Sequence, residues 1–450
     1  MHDTLIEQIR EALGQHGRAM NVRRIPALIE GLHPSDLAVI LDELTLPEAE
    51  RVFSLIDDVH AAEALSQVSP ETNRHLVETT PTRRMLAMLR RLPMDEAAEV
   101  VAEAGDEGKR LLSLMPEPSA RDVEQLLEYP EKTAGRLMTT KFAAVPTGTT
   151  VGRAIEYLRA VAPSVETVTT IYVLDSAQQL AGVCSIRDLL LATPDVSVDS
   201  IMTREVITVA PETDQQDAAR LIGHYDLLAI PVVNGGGRLV GIVTVDDVLD
   251  VLSEEFNEDY AGLVGSDAAE MDRRTPAQVA RLRLPWLMGT MAIELCAGVI
   301  IARFDGVLRE VILLASFMPV ISAVSGNVGL QAAAIVVRGL DTGHVSLDNW
   351  AHAVRRELTT ALTIALVAGV SLAIVAVVWS RHVPFGIVVG VSMTCAIIAA
   401  GVMGTVIPML SKRLGFDPAA TAGPFETAFQ DVIGFTVFLW LASLLAHWLV

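Results

Sequence analysis

Ser325-Gly326-Asn327-Val328-Gly329-Leu330-Gln331 lies inside the apolar run 311–337, and a second such run carries Asp431. Runs of this length and composition belong in a bilayer. A carboxylate at the centre of a bilayer helix costs roughly 2.5–3.5 kcal/mol on insertion scales, so its presence points to a task. Asn327 and Gln331 are spaced i, i+4 and share one helix face. Gly326 and Gly329 expose backbone and permit close approach of a neighbour. The pattern points to a polar, water-lined cation path between helices.

Working outward, hydropathy gives five spans, at 285–302, 311–337, 358–380, 384–410 and 424–449, each long enough to cross about 30 Å of hydrocarbon. Arg281, Arg283, Arg338, Arg355, Arg356, Lys412 and Arg413 fall on one side of them, and Arg303, Arg309 and Arg381 on the other. The excess of positive charge marks the cytoplasmic side. It places the preceding soluble region in the cytoplasm and, with an odd number of spans, the end of the chain at Val450 outside. The N-terminus has neither the basic nor the apolar region of a signal peptide.

Charge divides the 450-residue chain. Residues 1–283 hold 26 Lys+Arg and 46 Asp+Glu, a net of −20, and the remainder is nearly neutral. Such a field repels nucleic acid and attracts cations. The three cysteines, Cys184, Cys296 and Cys395, form no metal-binding or disulfide pattern, as expected in a reducing compartment.

The soluble region reads as two parts. Residues 1–130 form an acidic helical domain whose helix starts repeat: Leu32-His33-Pro34-Ser35-Asp36, Leu46-Pro47-Glu48, Leu92-Pro93-Met94-Asp95-Glu96 and Met115-Pro116-Glu117. Proline and acids suit a first helical turn, and the recurrence suggests stacked helix pairs in a superhelix. Residues 131–252 contain a clearer duplication, with copies at about 135–192 and 198–252. Leu137-Met138-Thr139 recurs as Ile201-Met202-Thr203, Ile171-Tyr172-Val173-Leu174-Asp175 as Ile230-Pro231-Val232-Val233-Asn234, and Gly182-Val183-Cys184-Ser185-Ile186-Arg187-Asp188 as Gly241-Ile242-Val243-Thr244-Val245-Asp246-Asp247. Gly235-Gly236-Gly237 reads as a hairpin turn. This duplication resembles a tandem pair of CBS domains, an α/β fold that commonly binds adenosine nucleotides. The resemblance puts the ribose-binding Ser/Thr-x-x-Asp on Ser185 and Asp188 and on Thr244 and Asp247. Capping of the following helix is an equally good reading of those residues. Residues 246–275 form an acidic connecting helix, and 284–450 the transmembrane domain.

The whole order resembles the MgtE family of magnesium channels and transporters: an all-α superhelical domain, a CBS pair, an acidic helix called the plug, and an all-α domain of five transmembrane helices. The local matches are Tyr129-Pro130-Glu131 with Ala134-Gly135 and Leu137-Met138-Thr139, Phe317-Met318-Pro319 with Gly326-Asn327-Val328-Gly329-Leu330-Gln331, Arg356-Glu357-Leu358, and Asp417-Pro418-Ala419-Ala420 with Gly423-Pro424-Phe425, Asp431-Val432 and Gly434. The resemblance implies a homodimer in the cell inner membrane, with a pore on the two-fold axis, and no enzymatic activity. It places the pore aspartate at Asp431 and the pore asparagine at Asn327. Gly423 stands where some members have Asn. Glu294, deep in the first span, has no family counterpart and reads as a structural hydrogen bond or an interface residue. Glu426, near the start of the fifth span, reads equally well as a surface or a pore residue.

Mg²⁺ holds its waters tightly, so a site for it needs acceptors one water layer out rather than soft ligands. No Lys or Arg in the fifth span could pair with Asp431 instead. The expected function is Mg²⁺ uptake, gated closed when cytoplasmic Mg²⁺ bridges carboxylates that repel when bare. The candidate bridging residues are Asp95, Asp214, Asp247, Asp250, Glu254, Glu255, Glu258 and Asp259. The alternatives are a broader divalent pathway for Mn²⁺ or Co²⁺, and a membrane sensor without transport. An intramembrane metalloprotease would need His-Glu-x-x-His in a span, and none occurs.

Overall fold

The computed structural model describes residues 2–14, 22–117, 119–263 and 276–445. It divides into two compact units, Met1–Leu252 and Ser253–Val450. The first unit opens with ten described α-helices: α1 (His2–Ala12), α2 (Ile25–Ile29), α3 (Pro34–Glu43), α4 (Leu46–Phe53), α5 (Asp58–Leu65), α6 (Pro70–Thr79), α7 (Thr82–Leu89), α8 (Met94–Glu103), α9 (Gly105–Leu114) and α10 (Ser119–Leu127). Pro34 and Pro47 sit in the first turns of α3 and α4, where no N–H is needed. Thr45 and Glu48 close a capping box on α4. Pro93 stands one residue outside, as the N-cap of α8. Met115-Pro116-Glu117 leads into α10, which is described from Ser119: the Pro116 carbonyl accepts from the Ala120 amide at 3.2 Å. Helices two apart in the chain pack together: α3 on α5, α4 on α6, α5 on α7, α6 on α8 and α8 on α10. That stagger winds the helices into a superhelix around a core that includes Ile40, Leu41, Phe53, Leu65, Leu76 and Met85.

The duplicated segment follows: α11 (Ala134–Leu137), β1 (Ala144–Pro146), α12 (Val151–Val161), β2 (Thr170–Leu174), β3 (Leu180–Ser185), α13 (Ile186–Leu191), α14 (Gln215–Tyr225), β4 (Ala229–Val233), β5 (Leu239–Thr244) and α15 (Val245–Leu263). Strand β1 pairs parallel to β2, and β2 pairs antiparallel to β3. Strands β4 and β5 form the matching antiparallel hairpin, and Ile171 opposite Cys184 corresponds to Ile230 opposite Val243. The turn between β4 and β5 is held by Asn234, whose side-chain oxygen accepts from the Gly236 and Arg238 amides, with Gly237 at φ +76°.

The two copies exchange their leading segments. Thr139, at the start of the first copy, pairs with Ile242 of β5, while Thr203, at the start of the second, pairs with Val183 of β3. The exchange explains why each copy needs a glycine at one position. A Cβ on Gly241 would lie 2.6 Å from Met138 Sδ and 2.9 Å from the Thr139 carbonyl oxygen, and one on Gly182 would lie 2.8 Å from both Met202 Sδ and the Thr203 carbonyl oxygen. Gly182→Ala and Gly241→Ala should therefore each destabilise the soluble region by about 1–3 kcal/mol. An unchanged urea midpoint in either variant would contradict the packing.

The second unit holds the apolar helices: α16 (Pro276–Arg303), α17 (Asp305–Glu310), α18 (Met318–Asp341), α19 (Trp350–Ser380), α20 (Val383–Arg413), α21 (Pro418–Ala422) and α22 (Pro424–Leu444). Among the described residues five helices are long and apolar enough to cross a membrane. Their ends differ from the sequence expectation. Pro285 does not open the first span but lies inside α16, where a long helix survives the loss of one backbone bond. The third begins at Trp350, because its first turns carry His352, Arg355 and Arg356, which hydropathy discounts. Residues 264–275 of the connecting helix and 446–450 at the end of the fifth span lie outside the described residues.

Helix α20 packs against α18, α19 and α22. Small residues let the backbones meet, as membrane helix contacts favour. A Cβ on Gly404 of α20 would overlap the Gly329 carbonyl oxygen of α18, and one on Gly390 would lie 2.7 Å from the Gly369 carbonyl oxygen of α19. Gly423 breaks the chain between α21 and α22, and a Cβ there would overlap the Leu263 carbonyl oxygen at the end of α15. Leu263 itself packs on Ala333, Val337, Ala419 and Ala422. The glycine that stands where some members have asparagine thus has a steric reason: a passing backbone takes the side chain's place.

Candidate functional site

Two clusters of acids stand out, one in each unit. In the first unit, Asp95 lies in the first turn of α8 and Asp247 in the first turn of α15. Burial, and next the Asp247 charge, push the Asp95 carboxyl up to about 8, with Glu166 and Glu96 adding to the effect. Burial pushes Asp247 up to about 7 against the opposing hydrogen bond from Thr244, with Asp246 and Glu166 nearby. Glu96, Glu166 and Asp250 are raised as well, each chiefly by burial. Asp95 Oδ1 is buried without a hydrogen-bond partner. Among the described residues no three acids, histidines or cysteines converge closely enough to ligate one metal directly. The groups of this cluster are all carboxylates, the hard oxygen ligands that Mg²⁺ and Ca²⁺ take.

The raised values fix a pH dependence. Both carboxyls titrate above their usual 3.8. Their contribution to stability is therefore fully present below about pH 4 and lost as pH rises through about 7 to 8. In chelator, protease sensitivity of the soluble region should increase from pH 5.5 to 8, and Asp95→Asn with Asp247→Asn should flatten that rise. An identical pH profile in the double variant would show that the two carboxyls do not carry it.

The other expected ligands are placed differently. Asp214 is the exposed N-cap of α14 and accepts from the Gln216 amide at 2.8 Å, so it has a local task of its own. Glu254, Glu255, Glu258 and Asp259 follow on later turns of α15, exposed or half-exposed. Glu96 and Glu166 were missed from sequence. Glu96 follows Asp95 directly and could have been noticed, whereas nothing local marks Glu166.

Both Ser/Thr-x-x-Asp segments are helix caps. Ser185 Oγ donates to Asp188 Oδ2 at 2.6 Å and accepts from the Asp188 amide at 3.1 Å, and Thr244 Oγ1 donates to Asp247 Oδ2 at 2.5 Å. The copies nonetheless differ. Asp188 is exposed and open to a ligand, while Asp247 is half-buried in the acid cluster.

In the second unit, Asp431 of α22 is half-exposed, and its Oδ1 accepts from Ser322 Oγ of α18 at 2.5 Å. The Glu294 carboxyl of α16 lies within hydrogen-bonding reach of Asp431. Asn327 and Gln331 lie on an uncovered face of α18 with Ala323 and Ile335, and no hydrogen bond joins Asn327 to Asp431 within the protomer. Ser322 is an α18 residue that hydrogen-bonds the aspartate. Glu294, read from sequence as a structural hydrogen-bonding or interface residue, has the expected pore carboxylate as its hydrogen-bonding neighbour. Glu426 is no surface residue, since it is 0% exposed.

Comparison with known proteins agrees with this layout. Residues 318–441 match the MgtE family described as a divalent cation transporter, 32–132 match the MgtE intracellular N domain, and 134–195 and 198–254 each match a CBS domain. The magnesium transporter MgtE of Thermus thermophilus is 36% identical over 451 residues, covering 99% of both chains. That of Bacillus subtilis is 34% identical over 432 residues, covering 95% of each. A crystal structure of the cytosolic domain of the Mg²⁺ channel MgtE in complex with ATP superimposes with a TM-score of 0.51 at 38% identity, covering 56% of this chain and 100% of that one.

Proposed function

Since the chain belongs to the MgtE family of divalent cation transporters, a family of multi-pass membrane proteins with a cytoplasmic N-terminal region, we propose that it carries Mg²⁺ across the membrane through a path lined by Asp431. One observation supports this above others: a carboxylate held by Ser322 and Glu294 among apolar helices, with no Lys or Arg in its helix to neutralise it. A cation drawn from water can supply that neutralisation, and Mg²⁺ can do so with its hydration shell kept.

The chain works as a homodimer in this reading. Uncovered Asn327 and Gln331 would be costly against lipid. A second copy across a two-fold axis covers them and doubles the carboxylates at the site. The end of the chain lies outside in this reading, which the charge asymmetry around the spans supports. The Asp95–Asp247 cluster acts as the internal Mg²⁺ sensor, since a divalent ion between its carboxylates removes their repulsion and favours the compact, closed arrangement. An adenosine nucleotide occupies the CBS pair at Ser185 and Asp188, whose carboxylate is exposed, in preference to Thr244 and Asp247.

Reconstitution into liposomes tests the reading. Mg²⁺ should enter faster than Mn²⁺ or Ca²⁺, and entry should fall as Mg²⁺ on the cytoplasmic face rises. Equal rates for all three ions would favour the broader divalent pathway. No flux from well-folded protein would leave only a sensor.

A further inference from the structure

Two polar side chains are sealed inside the second unit without partners. Glu426 is 0% exposed, and neither of its carboxylate oxygens has a hydrogen-bond partner. Gln430 is 1% exposed, and neither its amide oxygen nor its amide nitrogen has one. The i, i+4 spacing sets both on one face of α22. That face is turned to the two glycines of α18. A Cβ on Gly329 would overlap Glu426 Oε1, and one on Gly326 would lie 3.3 Å from Gln430 Oε1. Gly326 and Gly329 therefore do more than let helices approach: they leave space for an acid and an amide.

A buried carboxylate without a counter-charge is among the most costly groups a membrane protein can hold. No Lys, Arg or His pairs with Glu426 among the described residues. A proton would neutralise the acid but would leave the Gln430 oxygen and amide hydrogens unanswered. A magnesium ion is a poor fit, since it carries twice the charge of the one carboxylate and gives up its waters reluctantly, whereas the notch is sealed from solvent. A singly charged metal ion matches the single negative charge. It can take Glu426 Oε1 or Oε2 and Gln430 Oε1 as ligands, while a water on the ion accepts from Gln430 Nε2.

We propose that Glu426 and Gln430, set against Gly326 and Gly329, form a monovalent alkali-cation site inside each protomer, distinct from the Asp431 site. The site neutralises Glu426 and ties α22 to α18 next to the helix turn that carries Asp431. It needs neither a second protomer nor bound Mg²⁺.

The test is the melting temperature of the full-length protein in detergent with EDTA, in NaCl, KCl or choline chloride at one ionic strength. EDTA removes Mg²⁺, so the outcome does not depend on how Asp431 functions. The wild type should melt higher in at least one alkali salt than in choline, with saturable dependence on that ion. Glu426→Gln should abolish the dependence, and Gln430→Leu should raise the half-saturating concentration about tenfold. Thallium(I) soaked into crystals of the wild type should give an anomalous peak beside Glu426, which keeps the test open if Glu426→Gln fails to fold. Identical melting in all three salts, a dependence that survives in Glu426→Gln, or no thallium peak in the notch would each overturn the proposal.

Discussion

Asp431→Ala should abolish Mg²⁺ uptake while leaving assembly in detergent intact. The carboxylate is half-exposed and meets the Ser322 hydroxyl and the Glu294 carboxyl. Neither neutralises it, so removing it relieves a cost to the fold rather than creating one. The loss should therefore appear in transport, at a hundredfold or more, on the order of 2.7 kcal/mol or above. Asp431→Asn should fail nearly as badly, because a hydrated divalent ion is held by charge. Glu294→Gln should raise the half-saturating Mg²⁺ several-fold without silencing flux, as it removes the second carboxylate and keeps the first. Both effects are read from Mg²⁺ uptake into liposomes. Normal uptake through well-folded Asp431→Ala protein would sink the pore assignment.

Neutralising the cytoplasmic acids should have the second largest effect. Like charges 4 Å apart at an effective dielectric near 20 repel by roughly 4 kcal/mol, and Asp95, Glu96, Glu166, Asp246 and Asp247 act on one another. Asp95→Asn with Asp247→Asn should remove much of the force that opens the soluble region when Mg²⁺ is absent. It should also remove the carboxylates through which Mg²⁺ closes it. The expected result is protease resistance that no longer changes with Mg²⁺, together with at least a tenfold shift in the Mg²⁺ concentration that inhibits transport. Adding Asp250→Asn, Glu255→Gln, Glu258→Gln and Asp259→Asn should extend the effect if the later turns of α15 also bind ions. An unaltered Mg²⁺ titration in both sets would place the sensor elsewhere.

The architecture was legible because each part announces itself by a different periodicity. Apolar runs gave the spans, the matching segments around Gly182 and Gly241 gave the duplication, and prolines at helix starts gave the superhelix. Span ends were read less well, since Pro285 continues a helix and Arg355 and Arg356 begin one. Individual acids on a helix could be nominated, but not which of them would meet. Asp95 and Asp247 are 152 residues apart and lie together, while Asp214 caps its own helix. The burial of Glu426 was hidden for a related reason. A carboxylate in the first turn of a membrane helix looks solvated until the neighbouring helix is known, and here that neighbour presents Gly329.

The exchanged leading segments have a consequence for how the chain is made. Strand β3 gains its partner at Thr203 only after about twenty more residues have been synthesised, and Thr139 waits for Ile242, about a hundred residues later. The first copy therefore leaves the ribosome with an open edge and cannot complete its fold alone, although it precedes the second. Open edges invite pairing with other chains, so the interval before Ile242 emerges is when this protein is most exposed to misassembly. A nascent chain stalled between the two copies should remain protease-sensitive throughout, and both copies should become resistant together once β5 has cleared the exit.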